Sequence, residues 1–465
     1  MGGAPATSTS PPLKEGPAGP KPRDLGTGAL LASASLAISY VAIGITSIAA
    51  ARIVGANGTG VVALSNQIVL ITVFVAGIGL RTSVAAMVGA GHWSVRGAVH
   101  KIIPAAFALG VVGGVAGYGL YLLLQDSALR GFSDSMAIAL MVCLPFALLW
   151  WIIAAVALGR ERYEAYALIT ISAPATVMVF SPIGAFADGA AGAAYGLAAG
   201  YVVGGSICAA WALLLASRPE SAEGGDQGLP RAISNGVRSW VNDLFQIVNL
   251  RPDLFILNAY STTAATGIYS VSVSITSAGF ILSQSLATVV LPRSAALRGL
   301  DTAESPVISE RAAAAAVRHA VLVSLAAVAA LAVILLFVPL VWGGDFKKAI
   351  HYGLILLPGV TMLGVGRVMV ASFTGRGHPH YALAVGLLSF PATLVAYLLV
   401  IPDYGTTGAA VVTSLSYAAA ALLAAVLFFR TIHTSRREAL MPTRADVRDY
   451  ENYARRLRSM RPSRS

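Results

Sequence analysis

Along the chain, apolar stretches of about twenty residues alternate with short polar connections. A helix rises about 1.5 Å per residue, so about twenty apolar residues cross a hydrocarbon core. On that rule twelve spans are predicted, at 29–51, 61–84, 102–124, 136–158, 165–186, 191–216, 237–260, 264–291, 319–342, 349–373, 381–401 and 407–429. The predicted fold class is all-α and integral to the membrane. The apolar run from Ala29 has full spanning length and no cleavage-site pattern, so it reads as a retained helix rather than a signal peptide.

The second half of the pattern repeats the first. Leu158-Gly159-Arg160 and Tyr166-Ala167-Leu168 return as Thr374-Gly375-Arg376 and Tyr381-Ala382-Leu383. Ala187-Asp188 with Gly192-Ala193-Ala194 returns as Pro402-Asp403 with Gly408-Ala409-Ala410. Thr59-Gly60 before span two matches Thr266-Gly267 before span eight, and Arg81-Thr82-Ser83 matches Arg293-Ser294. The offsets, 207, 212, 215 and 216, are steady enough for a six-helix duplication. Six spans per half give both halves the same orientation, so the two lobes relate by a pseudo-twofold axis along the membrane normal. The expected organisation is a tail over 1–28, a six-helix lobe over 29–216, a linker over 217–236, a second six-helix lobe over 237–429 and a basic tail over 430–465.

Composition agrees with this pattern. Only 11% of residues are charged and 56% are hydrophobic, too little polar material to cover a water-soluble chain of 465 residues. The net charge of +11 is mostly a matter of topology, because 27 of the 32 basic residues are arginine and ten of the 32 lie from Arg430 onwards. One set of alternate loops carries Lys14, Lys21, Arg23, Arg96, Lys101, Arg160, Arg162, Arg218, Arg231, the region Arg293–Arg318, Arg376 and the C-terminal tail; the opposite set has only Arg52, Arg130, Lys347 and Lys348. Positive charge marks the cytoplasmic side, so both termini are expected there, in a multi-pass protein of a bacterial-type cell membrane. Nucleic acid is not an expected partner. Residues 1–28 have the Pro-, Gly- and Ser-rich composition of a disordered tail. Tyr450, Tyr453 and Leu457 recur at helical spacing in the other tail, which suits either an amphipathic helix or a solvated segment.

Candidate chemistry concentrates in span seven. Asn242, Gln246, Asn249 and Asp253 recur at helical spacing and form one polar stripe, with Asp243 beside it. Arg251 falls about halfway along the span, where an arginine costs roughly 2.5–3.5 kcal/mol on insertion scales and so needs a watery cavity or a partner. Pro252 removes a backbone hydrogen bond and predicts a kink there. A pairing of Arg251 with Asp253 that only helps assembly is the alternative. Arg52, at the end of span one, is either a snorkelling anchor or a substrate contact; Arg367, in span ten, is either an anchor or a gate. Asn66, Gln67 and Gln284 read as interhelical hydrogen-bonding groups, and Gly192, Gly196, Gly200 and Gly204 as a close-packing face. Cys143 and Cys208 sit in apolar runs and read as packing residues. No phosphate-binding loop, metal-ligand cluster or catalytic constellation is present in the sequence, so neither enzymatic activity, nor a metal, nor a cofactor is expected.

The motifs together resemble the polysaccharide and oligosaccharidyl-lipid flippases of the multidrug/oligosaccharidyl-lipid/polysaccharide exporter superfamily. Ala51-Arg52-Ile53-Val54-Gly55 with Gly58-Thr59-Gly60 carries the resemblance, as does Arg251-Pro252-Asp253-Leu254-Phe255-Ile256-Leu257 followed by Thr266-Gly267-Ile268-Tyr269-Ser270-Val271. Leu291-Pro292-Arg293 and the Gly375-Arg376-Gly377 loop add to it, and the likeness covers about 27–430. The resemblance implies two lobes rocking about a central cavity to move a polyprenyl-pyrophosphate-linked oligosaccharide between leaflets. Substrate contacts would be Arg251, Asp253, Asn249, Gln246, Asn242, Arg52 and Arg367, and the partners membrane lipid, glycosyltransferases and a glycan polymerase. Relatives with anionic substrates tend to have several cavity arginines, whereas one is clearly at mid-depth here. The rival within the superfamily is a cation-coupled multidrug exporter, for which Asp243 and Asp253 are the coupling candidates. A membrane-embedded enzyme and a non-transporting scaffold of glycan assembly are the readings from other classes.

Overall fold

A computed structural model of the chain describes residues 25–217, 228–234, 251–280 and 305–441, with isolated residues between them at 236, 237, 240, 283, 286, 287, 290 and 294. Those residues are overwhelmingly helical, and no strand occurs among them. The helices are α1 (Leu25–Ala76), α2 (Leu80–Gly89), α3 (Val95–Leu124), α4 (Asp134–Val142), α5 (Leu144–Gly159) and α6 (Tyr163–Ala216) in the first half. The second half has α7 (Pro252–Tyr260), α8 (Thr263–Ser277), α9 (Ser305–Leu336), α10 (Val338–Val341), α11 (Lys348–Gly375), α12 (Pro379–Phe429) and α13 (Arg436–Leu440).

Seven helical stretches among the described residues are long and apolar enough to cross a membrane, and three of them run to 46, 54 and 51 residues. Each of the three contains a non-helical break, at Gly55, at Asp188–Gly189 and at Gly405. The seven stretches therefore carry ten of the predicted spans; α7 and α8 fall within predicted spans seven and eight, parts of which lie outside the described residues. At two of the breaks the chain doubles back. Ser181 donates to the Ala193 carbonyl at 3.0 Å and Thr176 to that of Gly200 at 2.7 Å across the α6 hairpin. Tyr397 and Thr413 meet at 2.8 Å across the α12 hairpin. Gly189 (φ 55°) and Gly405 (φ 52°) hold the left-handed conformation these tight reversals need. They stand at the offset of the sequence repeat.

The predicted glycine face of span six packs on span five. A Cβ on Gly196 would overlap the Phe180 carbonyl, and one on Gly200 would lie 2.6 Å from the Val177 Cα. Small residues let backbones approach this closely, which is how helices associate where lipid removes the hydrophobic drive between them. The repeat also explains where the halves touch. Gly60 lies against the Thr263 carbonyl and Gly267 against the Ala56 carbonyl, so the duplicated Thr-Gly pairs pack on each other.

Around that crossing, on the face opposite the chain termini, further contacts tie the halves. Arg52 donates through Nε to the Val341 carbonyl at 2.9 Å and through Nη2 to that of Leu340. Arg130 donates to the Ala259 carbonyl at 3.1 Å, and Asn258 to the Ala128 and Arg130 carbonyls at 3.0 and 3.1 Å. On the terminus-bearing face span two breaks after α1, with Ile78 (φ 45°) and Gly79 (φ 65°) in left-handed conformations. Trp240 donates to the Phe74 carbonyl there at 3.1 Å, and Gly79 abuts the Gly236 carbonyl.

Beyond α12 the chain continues as a docked segment. Arg376 donates to the Thr431 carbonyl at 2.9 Å, His433 N–H to Glu310 at 2.9 Å, and Arg318 to the Glu438 carbonyl at 3.0 Å. Ile432 and Ala439 bury against Val317, Phe373 and Phe428. The expected tail from 430 thus begins as structure up to Met441; the helical spacing at Tyr450, Tyr453 and Leu457 and the tail over 1–24 lie outside the described residues.

Candidate functional site

A cavity of about 640 Å³ lies between α1 and α8–α9. Its walls are mainly apolar, including Val62, Leu70, Phe74, Trp151 and Leu331, and its polar groups are Tyr40, Asn66, Gln67, Arg251, Ser274 and Ser277 among others. Such a surface suits an amphipathic solute, with an apolar body against the walls and a few polar groups fixing orientation. Arg251 brings the charge, and no carboxylate lines the cavity among the described residues. A second chamber of about 460 Å³ shares Phe74 and Trp151 with the first and extends towards the terminus-bearing face past Arg81, which stacks on Trp151 at 3.8 Å.

The position of Arg251 follows from the proline after it. Pro252 has no N–H to give and a fixed φ, so it begins α7 at its first helical turn. Arg251 is the residue before that turn, at φ −142° and ψ 9°, and its guanidinium donates to the Ser277 hydroxyl at 3.2 Å. A planar fork of donors in a low-dielectric chamber is well matched to carboxylate or phosphate.

Two residues on, Asp253 faces the interior of the second half and is completely buried. Tyr269 donates to its Oδ2 at 2.7 Å, and Thr413 Oγ1 lies 3.5 Å from the same oxygen. Tyr269 and Tyr397 reach Thr413 at 3.0 and 2.8 Å, and Thr413 donates onward to the Ala409 carbonyl at 2.7 Å. Asp253 Oδ1 has no hydrogen-bond partner among the described residues.

The remaining candidates separate from this pair. Asn242, Asp243, Gln246 and Asn249, the rest of the polar stripe, lie outside the described residues, as do Gln284 and Arg293. Arg52 makes the bridge to Leu340 and Val341 described above, away from the cavity lining. Arg367 lies with its guanidinium 4.7 Å over the Phe280 ring, which in turn meets Tyr417 edge-on at 5.9 Å. Asn66 and Gln67 line the cavity, and Asn66 accepts from Tyr201 at 3.0 Å. Tyr269, Tyr397, Thr413 and Ser277 are absent from the sequence-derived candidates. Tyr269 belongs to the Thr266–Val271 motif, a signal that pointed to the segment without singling out its hydroxyl. Thr413 and Tyr397 carry no local signal, since each is one more hydroxyl in an apolar span. No group of metal-ligating side chains occurs among the described residues.

Neither a family model nor a curated protein matches the sequence. Among solved structures the fold is similar to an outward-facing multidrug resistance MATE family transporter of the MOP superfamily, at TM-score 0.61 and 17% identity over 88% of this chain and 96% of that one. An inward-facing structure of a MATE family transporter of the same superfamily gives TM-score 0.58 and 19% identity, over 87% and 94% of the two chains. A MATE multidrug transporter solved as a complex gives TM-score 0.64 and 14% identity, over 89% and 96%. The two-lobed, twelve-helix architecture is common to them and to this chain.

Proposed function

We propose that the chain is a secondary transporter that couples a cation at Asp253 to export of an amphipathic solute held in the cavity beside Arg251. The observation that carries the reading is the division of labour at the start of α7, where Arg251 lines the chamber and Asp253 is sealed into the second half. A carboxylate buried inside a membrane is costly and marks a site that carries ions or protons. The likeness in fold to multidrug transporters supports the same reading. The arginine bias of the loops supports a cytoplasmic position for the terminus-bearing face, and the proposed export runs from that face through the chamber.

The test is protection of cells by the protein against a panel of amphipathic toxic compounds. Wild type should protect, and Asp253→Asn and Arg251→Ala should each lose at least tenfold of that protection while reaching the membrane at normal levels. Full protection by Asp253→Asn would remove the coupling role.

A second reading, movement of a lipid-linked oligosaccharide during surface polysaccharide assembly, is favoured by the sign of the chamber's charge, since an arginine suits a pyrophosphate. It expects surface glycan to disappear in Arg251→Ala while the protein still reaches the membrane, and intact glycan would remove Arg251 from that role. Glycosyltransferases and a polymerase would be partners under this reading alone.

A further inference from the structure

On the face opposite the termini the cavity lining ends at Ser47 of α1 and Trp342 of the second half. The connection from α9 to α11 crosses the mouth there as α10, Trp342, Gly343 and a 3-10 turn over Gly344–Lys347. The Trp342 indole Nε1 donates to the Ser47 hydroxyl at 3.1 Å. Its ring thus turns an apolar body to the chamber and spends its one polar group on the opposite half. A buried indole N–H needs such a partner.

The surroundings of the ring show how it is held. Ile48 and Ala51 of α1 meet Val271, Leu335 and Phe346 of the second half in one apolar cluster with Trp342. A little over a turn beyond Ser47, Arg52 donates to the Leu340 and Val341 carbonyls. Those carbonyls end α10, where a helix has no acceptors' partners of its own. So α1 grips the segment twice, once by the indole and once by the backbone. Beyond Trp342 the backbone has room to turn. Gly343 stands at φ 118°, and no atom lies within 4 Å of where a Cβ would sit on it or on Gly344.

The first half has the same clasp without the ring. At the repeat offset of 212, Trp342 falls on Arg130. Asn258 of α7 donates to the Ala128 and Arg130 carbonyls much as Arg52 of α1 donates to those of Leu340 and Val341. Asn258 is buried and Arg52 is exposed, so the Arg52 clasp is the one that water weakens. It is also the one that carries a side chain into the cavity, since Arg130 does not line it.

We propose that Trp342 is the gate at this end of the cavity and a contact for the apolar body of the solute, favouring an aromatic body over an alkyl chain. The inference rests on the reading of the chamber as a solute site and adds the residue that controls release from it. While the bond to Ser47 is made, the ring closes the mouth. When that bond breaks and the segment turns at Gly343, the ring withdraws and the chamber opens. Arg251 takes an anionic end of the solute, and the indole face rewards a flat aromatic one.

Pulsed spin-label distances between Asn57→Cys and Lys347→Cys, on the full chain in nanodiscs, read the gate without a solute. Both positions are exposed, whereas Cys143 and Cys208 are buried away from the label. Trp342→Phe keeps a ring and removes the donor, and should raise the fraction of long distances about fivefold. Ser47→Ala should do the same, the double variant should go no further, and Ser47→Thr should stay at the wild-type value. A general loss of packing at Trp342 would instead add to the effect of Ser47→Ala. Unchanged distances in both Trp342→Phe and Ser47→Ala, or effects that add, overturn the gate.

Calorimetric titration of the same nanodiscs with 2-naphthalenesulfonate and with octanesulfonate, corrected for empty nanodiscs, reads the contact. Wild type should favour the naphthalene. Trp342→Leu should lower the ratio of the two affinities about fivefold, and Trp342→Phe should keep it. A ratio unmoved by Trp342→Leu overturns the contact. The two levels fail differently. Binding of both sulfonates that Arg251→Ala weakens and Trp342→Leu leaves alone removes this inference and keeps the chamber as a solute site. Binding of neither to wild type, or binding indifferent to Arg251→Ala, removes that reading as well.

Discussion

Arg251 and Asp253 lie two positions apart, yet the first lines the cavity and the second is sealed among hydroxyls, because Pro252 starts a helix between them. At this scale the bond from Tyr269 is the most exposed to test. Tyr269→Phe keeps the ring and removes the donor, leaving Oδ2 with only the longer approach of Thr413. Leaving a buried acceptor unsatisfied costs about 1–3 kcal/mol, although bonds in membrane interiors tend to the low end. The expected outcome is a loss of that order in reversible unfolding in mixed micelles, with Tyr352→Phe as a control that keeps the Asp253 bonds.

Among the elements, the α6 hairpin is the clearest case of sequence dictating contact. Gly196 faces the Phe180 backbone, which cannot move aside as a side chain can, so Gly196→Leu should cost at least the 1–3 kcal/mol of an ordinary overpacked site. Gly44 has open space at the corresponding point, and Gly44→Ala should leave stability unchanged or raised by up to about 1 kcal/mol through helix propensity. Thermal unfolding in detergent compares the two directly. The segment with α13 makes a different prediction. Glu310 stands near the start of α9, before predicted span nine at 319–342; partial burial pushes its carboxyl up, but the bonds from His433 and the nearby Arg376 outweigh this and hold it below the ordinary glutamate value. A carboxylate held low contributes to docking above its unfolded value and loses that contribution as pH falls through the folded one. Hydrogen exchange over residues 431–441, corrected for intrinsic rates, should therefore accelerate as pH falls below about pH 4. Glu310→Gln should remove that acid dependence.

For the whole molecule, the halves are joined on the face opposite the termini by the Gly60–Gly267 crossing, by Arg52 and Arg130, and by Asn258. A transporter that opens to this face must break these contacts, and charge-assisted hydrogen bonds are worth about 1.5–3 kcal/mol each when shielded. Arg52 and Arg130 are exposed, so a smaller figure applies, and about 1.4 kcal/mol for the two together is a tenfold change in population. The double variant Arg52→Ala with Arg130→Ala should therefore raise the fraction of long distances between spin labels at Asp126 and Ser261 by about tenfold. An unchanged distance distribution would show that the glycine crossing and the Asn258 bonds hold this face together without the two arginines.

Composition and periodicity were sufficient for the all-helical membrane fold, the duplication and the glycine face. These depend on local properties, namely how many apolar residues in succession cross a bilayer and which positions repeat every few residues along a helix. Arg251 was legible for the same reason, since a charge at mid-depth is costly wherever the neighbouring helices stand. The partners of Asp253 were not, because Tyr269, Tyr397 and Thr413 come from up to 160 residues away and each is an unremarkable hydroxyl in its own span. Likewise the sequence left Arg52 between anchor and contact, and only the approach of the Leu340 and Val341 carbonyls from the other half made it a bridge between lobes. Local pattern sets what each segment must bury, while the pairing of polar groups waits on which backbones the packing of small residues brings side by side.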